Sequence, residues 1–120
     1  MTPDEVLDPQ TVAYLREAGE ACGSDTFIHQ LVEIFSTNAP GRLTQMAAAL
    51  AAHDGKTLGR IAHTLKSNCS MLGATALAAT CAALEECGDA NDFARAADVL
   101  ADANQQFPAV LAAVTALTAK

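Results

Sequence analysis

Tryptophan is absent from this 120-residue chain, tyrosine occurs once, and aromatic residues together make up only 4% of it. Sheets draw on aromatic and β-branched side chains, so the shortage argues against an all-β fold. Basic residues are scarce as well. Seven Lys and Arg against fourteen Asp and Glu leave a formal charge of −7, which repels a nucleic-acid backbone and an anionic lipid surface alike. No uninterrupted apolar run is long enough to span a bilayer, and the acidic start at Met1 to Val6 has no basic run leading into an apolar one. The expectation is a cytoplasmic, free-standing monomer with neither nucleic-acid nor membrane partners. The four cysteines, Cys22, Cys69, Cys81 and Cys87, contain no C-x-x-C pair, so reduced and mostly buried thiols are expected. No Glu-x-x-His pair of the di-iron bundles occurs, and His29 with Glu33 offers only two ligands, so no metal site is expected. A Gly-rich phosphate loop is missing too, which excludes autonomous ATP-dependent kinase chemistry.

What is present is mostly Ala and Leu, strong helix formers that pack closely. Asp8 before Pro9 reads as an N-cap opening a short helix over about 9–18, stopped at Gly19. Ser24 caps a long segment over about 24–52, with Phe27, Leu31, Ile34 and Phe35 and then Leu43, Met46, Ala47 and Leu50 at helical spacing, bent at Pro40. His53-Asp54-Gly55 is a tight connection into a helix over 55–72, closed by Gly73 as a left-handed cap, with His53 near the preceding helix C-terminus. Two more follow, over about 74–87 ending at Gly88, and over about 91–118 with Phe93, Ala97, Leu100, Val110, Leu111 and Val114 inward and a bend or restart at Pro108. Short connections force neighbours to run antiparallel. The fold class is therefore all-α: one domain over 1–120, an antiparallel up-and-down four-helix bundle with a short additional N-terminal helix.

Winding residues 55–72 at about 100° per residue separates two faces. Leu58, Ile61, Leu65 and Leu72 share the side opposite His63, so burying them turns the imidazole to solvent. Small residues Gly59, Ser67 and Ser70 flank His63 and leave the ring standing proud. Lys56, Arg60 and Lys66 project within about 60° of it. From Gly55 to Leu84 there is no acidic residue at all, so an acidic chain gathers three of its seven cations around one exposed imidazole. Cations there favour a neutral, nucleophilic ring and can afterwards pair with phosphoryl oxygens.

The run Ala62-His63-Thr64-Leu65-Lys66-Ser67-Asn68-Cys69-Ser70-Met71-Leu72-Gly73-Ala74 resembles the signature A-H-x-L-K-[GS]-x-x-x-x-[LIV]-G-A of histidine-containing phosphotransfer domains. Leu77 through Glu85 is similar to the family's L-x-x-x-C-x-x-L-E stretch, and Phe27 through Leu50 to its long second helix. The resemblance implies that His63 accepts a phosphoryl group on Nε2, that Lys66 helps hold it, and that Gly73 is structural. Ser67 stands where many members have Gly, and Asn68 and Cys69 where Ser or Ala is frequent. It further implies partners that are response-regulator receiver domains and a hybrid sensor histidine kinase, a phosphoryl group arriving from one receiver aspartate and leaving to another, and Mg²⁺ on the receiver only. Members that lack the histidine act as plain adaptors, which is the alternative reading.

Overall fold

The computed structural model describes residues 6–21 and 26–118, and among them finds five helices and no strand. These are α1 (Pro9–Ala21), α2 (Thr26–Ala51), α3 (Gly55–Met71), α4 (Thr75–Ala90) and α5 (Phe93–Ala116). Helix α3 packs between α2 and α4, α5 closes the ring against both of those helices, and α1 lies on α2. The result is an all-α, up-and-down four-helix bundle with one extra helix. Ser24 and Cys22 lie outside the described residues.

One stripe of each helix makes the core. On α2 it is Ile28, Val32, Phe35, Ala39, Leu43 and Met46, all buried at intervals of three and four. Phe27, Ile34 and Ala47, expected inside, fall off that stripe and are exposed. On α5 the stripe is Ala96, Leu100, Ala103 and Val110, which leaves Ala97 outside. Cys69, Cys81 and Cys87 are free thiols buried between helices. No polar or charged residue is fully buried among those described, so the polar side chains of the bundle lie at or near its surface.

The caps explain where the helices begin. Asp8 accepts the Thr11 N–H at 3.2 Å, Asp54 the Thr57 N–H at 3.1 Å, and Asp92 the Arg95 N–H at 3.2 Å. The Thr57 hydroxyl also donates to Asp54 at 2.7 Å. These bonds from Thr57 hold the Asp54 carboxyl below its ordinary 3.8. A lowered folded-state value stabilises above the unfolded value and is lost as pH falls through the folded one. Asp54→Ala should therefore lower the melting temperature at pH 7, and the gap to the parent should close in melts run progressively below pH 3.8.

Two glycines depart from their expected role as helix stops. Gly19 is buried within α1, and Gly88 lies within α4, which runs on to Ala90 and ends where Asn91 takes a left-handed φ of 53°. The missing side chain of Gly88 serves packing instead. Gly73 does close α3, with φ +79°, and its carbonyl accepts the Asp8 N–H at 2.7 Å, tying the start of α1 to the α3–α4 turn. Pro108 does not restart the last helix, and Pro40 sits inside an unbroken α2. Each proline forfeits one backbone bond, which buried neighbours on both sides make tolerable.

Candidate functional site

His63 sits halfway along α3, and Leu58, Ala62, Leu65 and Leu72 around it are buried. That anchors the helix with its imidazole outward, the side chain 60% exposed. On one flank of His63 lie Gly59, Ala62, Lys66 and Cys69, and this flank faces α4. Gly59 is buried, its backbone in contact distance of a Cβ built on Gly88. It does not stand open beside the imidazole: it lets α3 and α4 approach until side chains from both meet at the surface.

The meeting residue is Glu85. Its Oε2 lies 2.9 Å from His63 Nδ1, and its Oε1 accepts from Lys66 Nζ at 2.7 Å. Lys66, and more weakly His63, hold the Glu85 carboxyl below the usual carboxylate range. An ionised carboxylate only accepts, so the neutral imidazole in this contact carries its proton on Nδ1. The lone pair is then on Nε2, at the exposed end of the ring. The site is thus an exposed imidazole whose tautomer is fixed by a carboxylate that is itself fixed by an ammonium.

Of the other residues singled out from sequence, Lys56, Arg60, Ser67 and Ser70 are exposed on the His63 side of α3, while Lys66 is half-buried under its ion pair. The Ser67 hydroxyl donates to the His63 carbonyl at 3.2 Å and so keeps its side chain low along the helix. Gly73 lies at the far end of α3. His53 and His29 are not part of the site: the His53 ring stacks on Phe93 with centroids 4.7 Å apart, and His29 is exposed on α2. No group of three or more metal-binding side chains exists among the described residues. Glu85 had no assigned role from sequence. Its signal there is that it is the first acidic residue after thirty without one, but only the register of α4 brings it to His63.

The structure is thus a helical bundle that presents a carboxylate-held imidazole on its surface. The model of the Hpt domain matches residues 30–119, and the chain belongs to that family. It is 35% identical over 83 residues, 69% of its length, to the sensor protein TorS of Escherichia coli (strain K12). The chain spans only 9% of that relative. Among solved structures it is similar to histidine-containing phosphotransfer protein B (HptB) of Pseudomonas aeruginosa PAO1, with a TM-score of 0.83 and 29% identity over 94% of each chain. Hpt domains are phosphotransfer modules related to two-component sensor kinases and receivers, and the role of this chain is in general that of phosphorelay histidine phosphotransfer. No described helix is long and apolar enough to cross a membrane.

Proposed function

We propose that His63 takes a phosphoryl group from the aspartyl phosphate of one receiver domain and delivers it to the aspartate of another. The observation that carries this reading is the 2.9 Å contact between His63 Nδ1 and Glu85, because it leaves the Nε2 lone pair free and outward. Nε2 attacks phosphorus, the bond from phosphorus to the aspartate oxygen breaks, and the carboxylate leaves with that electron pair. The ring then bears phosphoryl on Nε2 and a proton on Nδ1, and the positive charge this creates is opposed by Glu85. Reversal on a second receiver regenerates the neutral ring. The bundle needs no metal of its own, and Mg²⁺ belongs to the receiver. Lys66 keeps two N–H donors beyond the one given to Glu85, and these can face a phosphoryl oxygen.

Docking uses the same face. Lys56, Arg60, Ser67 and Ser70 surround the imidazole, and Ile34 on α2 and Met71 on α3, each 51% exposed, extend it with apolar surface. A hybrid sensor kinase and a response regulator would supply the two receivers.

The test is incubation of the chain with a receiver labelled on its aspartate. Label that is acid-labile and alkali-stable should appear on the chain, and transfer from none of several receivers to a folded chain would overturn the reading. Glu85→Gln should slow acceptance on the order of tenfold, a typical loss when a partner that orients an imidazole is removed. The amide can turn either its oxygen or its NH₂ towards Nδ1, so the tautomer is no longer enforced. Single-turnover transfer rates check this, and an unchanged rate would remove Glu85 from the mechanism.

A further inference from the structure

We infer that Arg42 on α2 is a second cation of the phosphoryl site, placed to bind the oxygens of phosphorylated His63; this rests on the acceptor role proposed above. Arg42 is half-buried, its Nε is shielded from water without a hydrogen-bond partner, and no carboxylate pairs with it among the described residues. The rest of the guanidinium is met by solvent and not by a carboxylate, so an anion within its reach would have no competing partner to displace.

Its place follows from helix geometry. Antiparallel neighbours joined by a short turn bring equal steps before and after the turn to one height. The α3–α4 pair shows this: Gly59, fourteen residues before Gly73, touches Gly88, fifteen after it. On α2 and α3, joined through His53, the same rule sets Arg42, eleven residues before, level with Thr64, eleven after. Thr64 is the immediate neighbour of His63. The facing is set as well. On α3 the flank with Gly59 and Lys66 meets α4, so the opposite flank, with Arg60, Thr64 and Asn68, turns to α2. Carried round the ring with right-handed helices, the edge of α2 that turns to α3 bears Leu31, Asn38, Arg42 and Ala49.

The surface of α2 around Arg42 is open and polar, with every lining residue on α2 itself. Thr37, Asn38, Gly41, Arg42 and Gln45 line a shallow depression of about 180 Å³, and a Cβ added to Gly41 would meet nothing within 4 Å. Opposite, Lys66 is already neutralised by Glu85 at 2.7 Å. Addition of a phosphoryl group carrying roughly two negative charges therefore meets a paired cation on its α4 side and an unpaired one on its α2 side. Lys56 and Arg60 on α3 add to the field, and on α4 Glu85 and Asp89, whose carboxylate lies against Gly59, oppose it.

Phosphoramidate, a small donor that bypasses receivers, can load the full chain, and ³¹P NMR can follow the phosphohistidine signal with pH. A nearby guanidinium favours the dianion, so Arg42→Gln should raise the midpoint of that titration by about half a unit or more. Arg42→Lys should recover most of the difference, and added salt should shrink it. Arg16→Gln, which removes a cation from α1, should leave the midpoint where it is. Equal midpoints for the parent and Arg42→Gln, with phosphohistidine formed in both, would overturn the role of Arg42 and spare the acceptor reading. Absence of phosphohistidine in the parent would overturn both. Arg42→Lys keeps a cation on the same stem, so a shift in Arg42→Gln that came only from altered packing would appear there too, and that outcome also overturns the proposal.

Discussion

His63→Gln should abolish phosphoryl acceptance completely while leaving the bundle folded. The side chain is 60% exposed and contributes nothing to the core, whose nearest members are Ala62, Leu58 and Leu65. Far-ultraviolet circular dichroism and the melting temperature should therefore stay close to those of the parent, since surface substitutions away from special features typically change stability by no more than about 0.5 kcal/mol. The glutamine amide can still reach Glu85 but has no nucleophilic nitrogen, so no acid-labile label should form from any donor. His53 and His29 cannot substitute: one is stacked on Phe93 and the other stands on another part of α2 without a carboxylate contact of this kind. Residual label on the His63→Gln protein would show that another residue accepts, and a biological role that survives the substitution would favour a helical adaptor.

The second large effect concerns stability and reaches the site through it. Gly88→Ala should destabilise the protein by about 2–3 kcal/mol, towards the upper end of typical overpacking costs. The added Cβ would sit 2.5 Å from the Gly55 carbonyl oxygen, 2.8 Å from Gly59 N and 3.0 Å from Gly59 Cα. All three are backbone atoms of α3, so no side chain can swing aside and the helices must part. Glu85 lies one turn before Gly88, and parting the helices draws its carboxylate away from His63 and Lys66. Phosphoryl acceptance should fall together with the melting temperature, which should drop by about 10 °C for a domain of this size. Gly41→Ala provides the opposite sign. It adds a methyl group where nothing lies within 4 Å, inside a helix, and should stabilise by roughly 0.5–1 kcal/mol. Chemical denaturation of the two variants side by side distinguishes close packing from a general dislike of replacing glycine.

Both halves of the His63 site became visible by different routes. The outward imidazole was legible because helical periodicity is a local property: Leu58, Leu65 and Leu72 must share a face, and their burial decides where His63 points. The N-caps at Asp8, Asp54 and Asp92 were legible in the same way, since an N-cap acts on backbone only two or three residues ahead. Gly59 was misplaced because the helical wheel gives its angle from His63, about 40°, without saying which neighbouring helix occupies that flank. Gly88 was read as a helix stop for a related reason, as a glycine that opens a backbone contact and one that ends a helix look alike in a sequence.

By itself, then, the sequence determined the all-helical class, the order of the bundle and the exposure of one histidine beside a cluster of cations, because each depends on patterns within a single helix. Only the tertiary structure decided that Glu85 holds His63 Nδ1, that Lys66 pairs with Glu85, and that Arg42 has no carboxylate partner among the described residues. Those relations depend on how far one helix slides and turns against the next. That register is set by contacts such as Gly59 on Gly88, formed between residues far apart in the chain, where no local period records them.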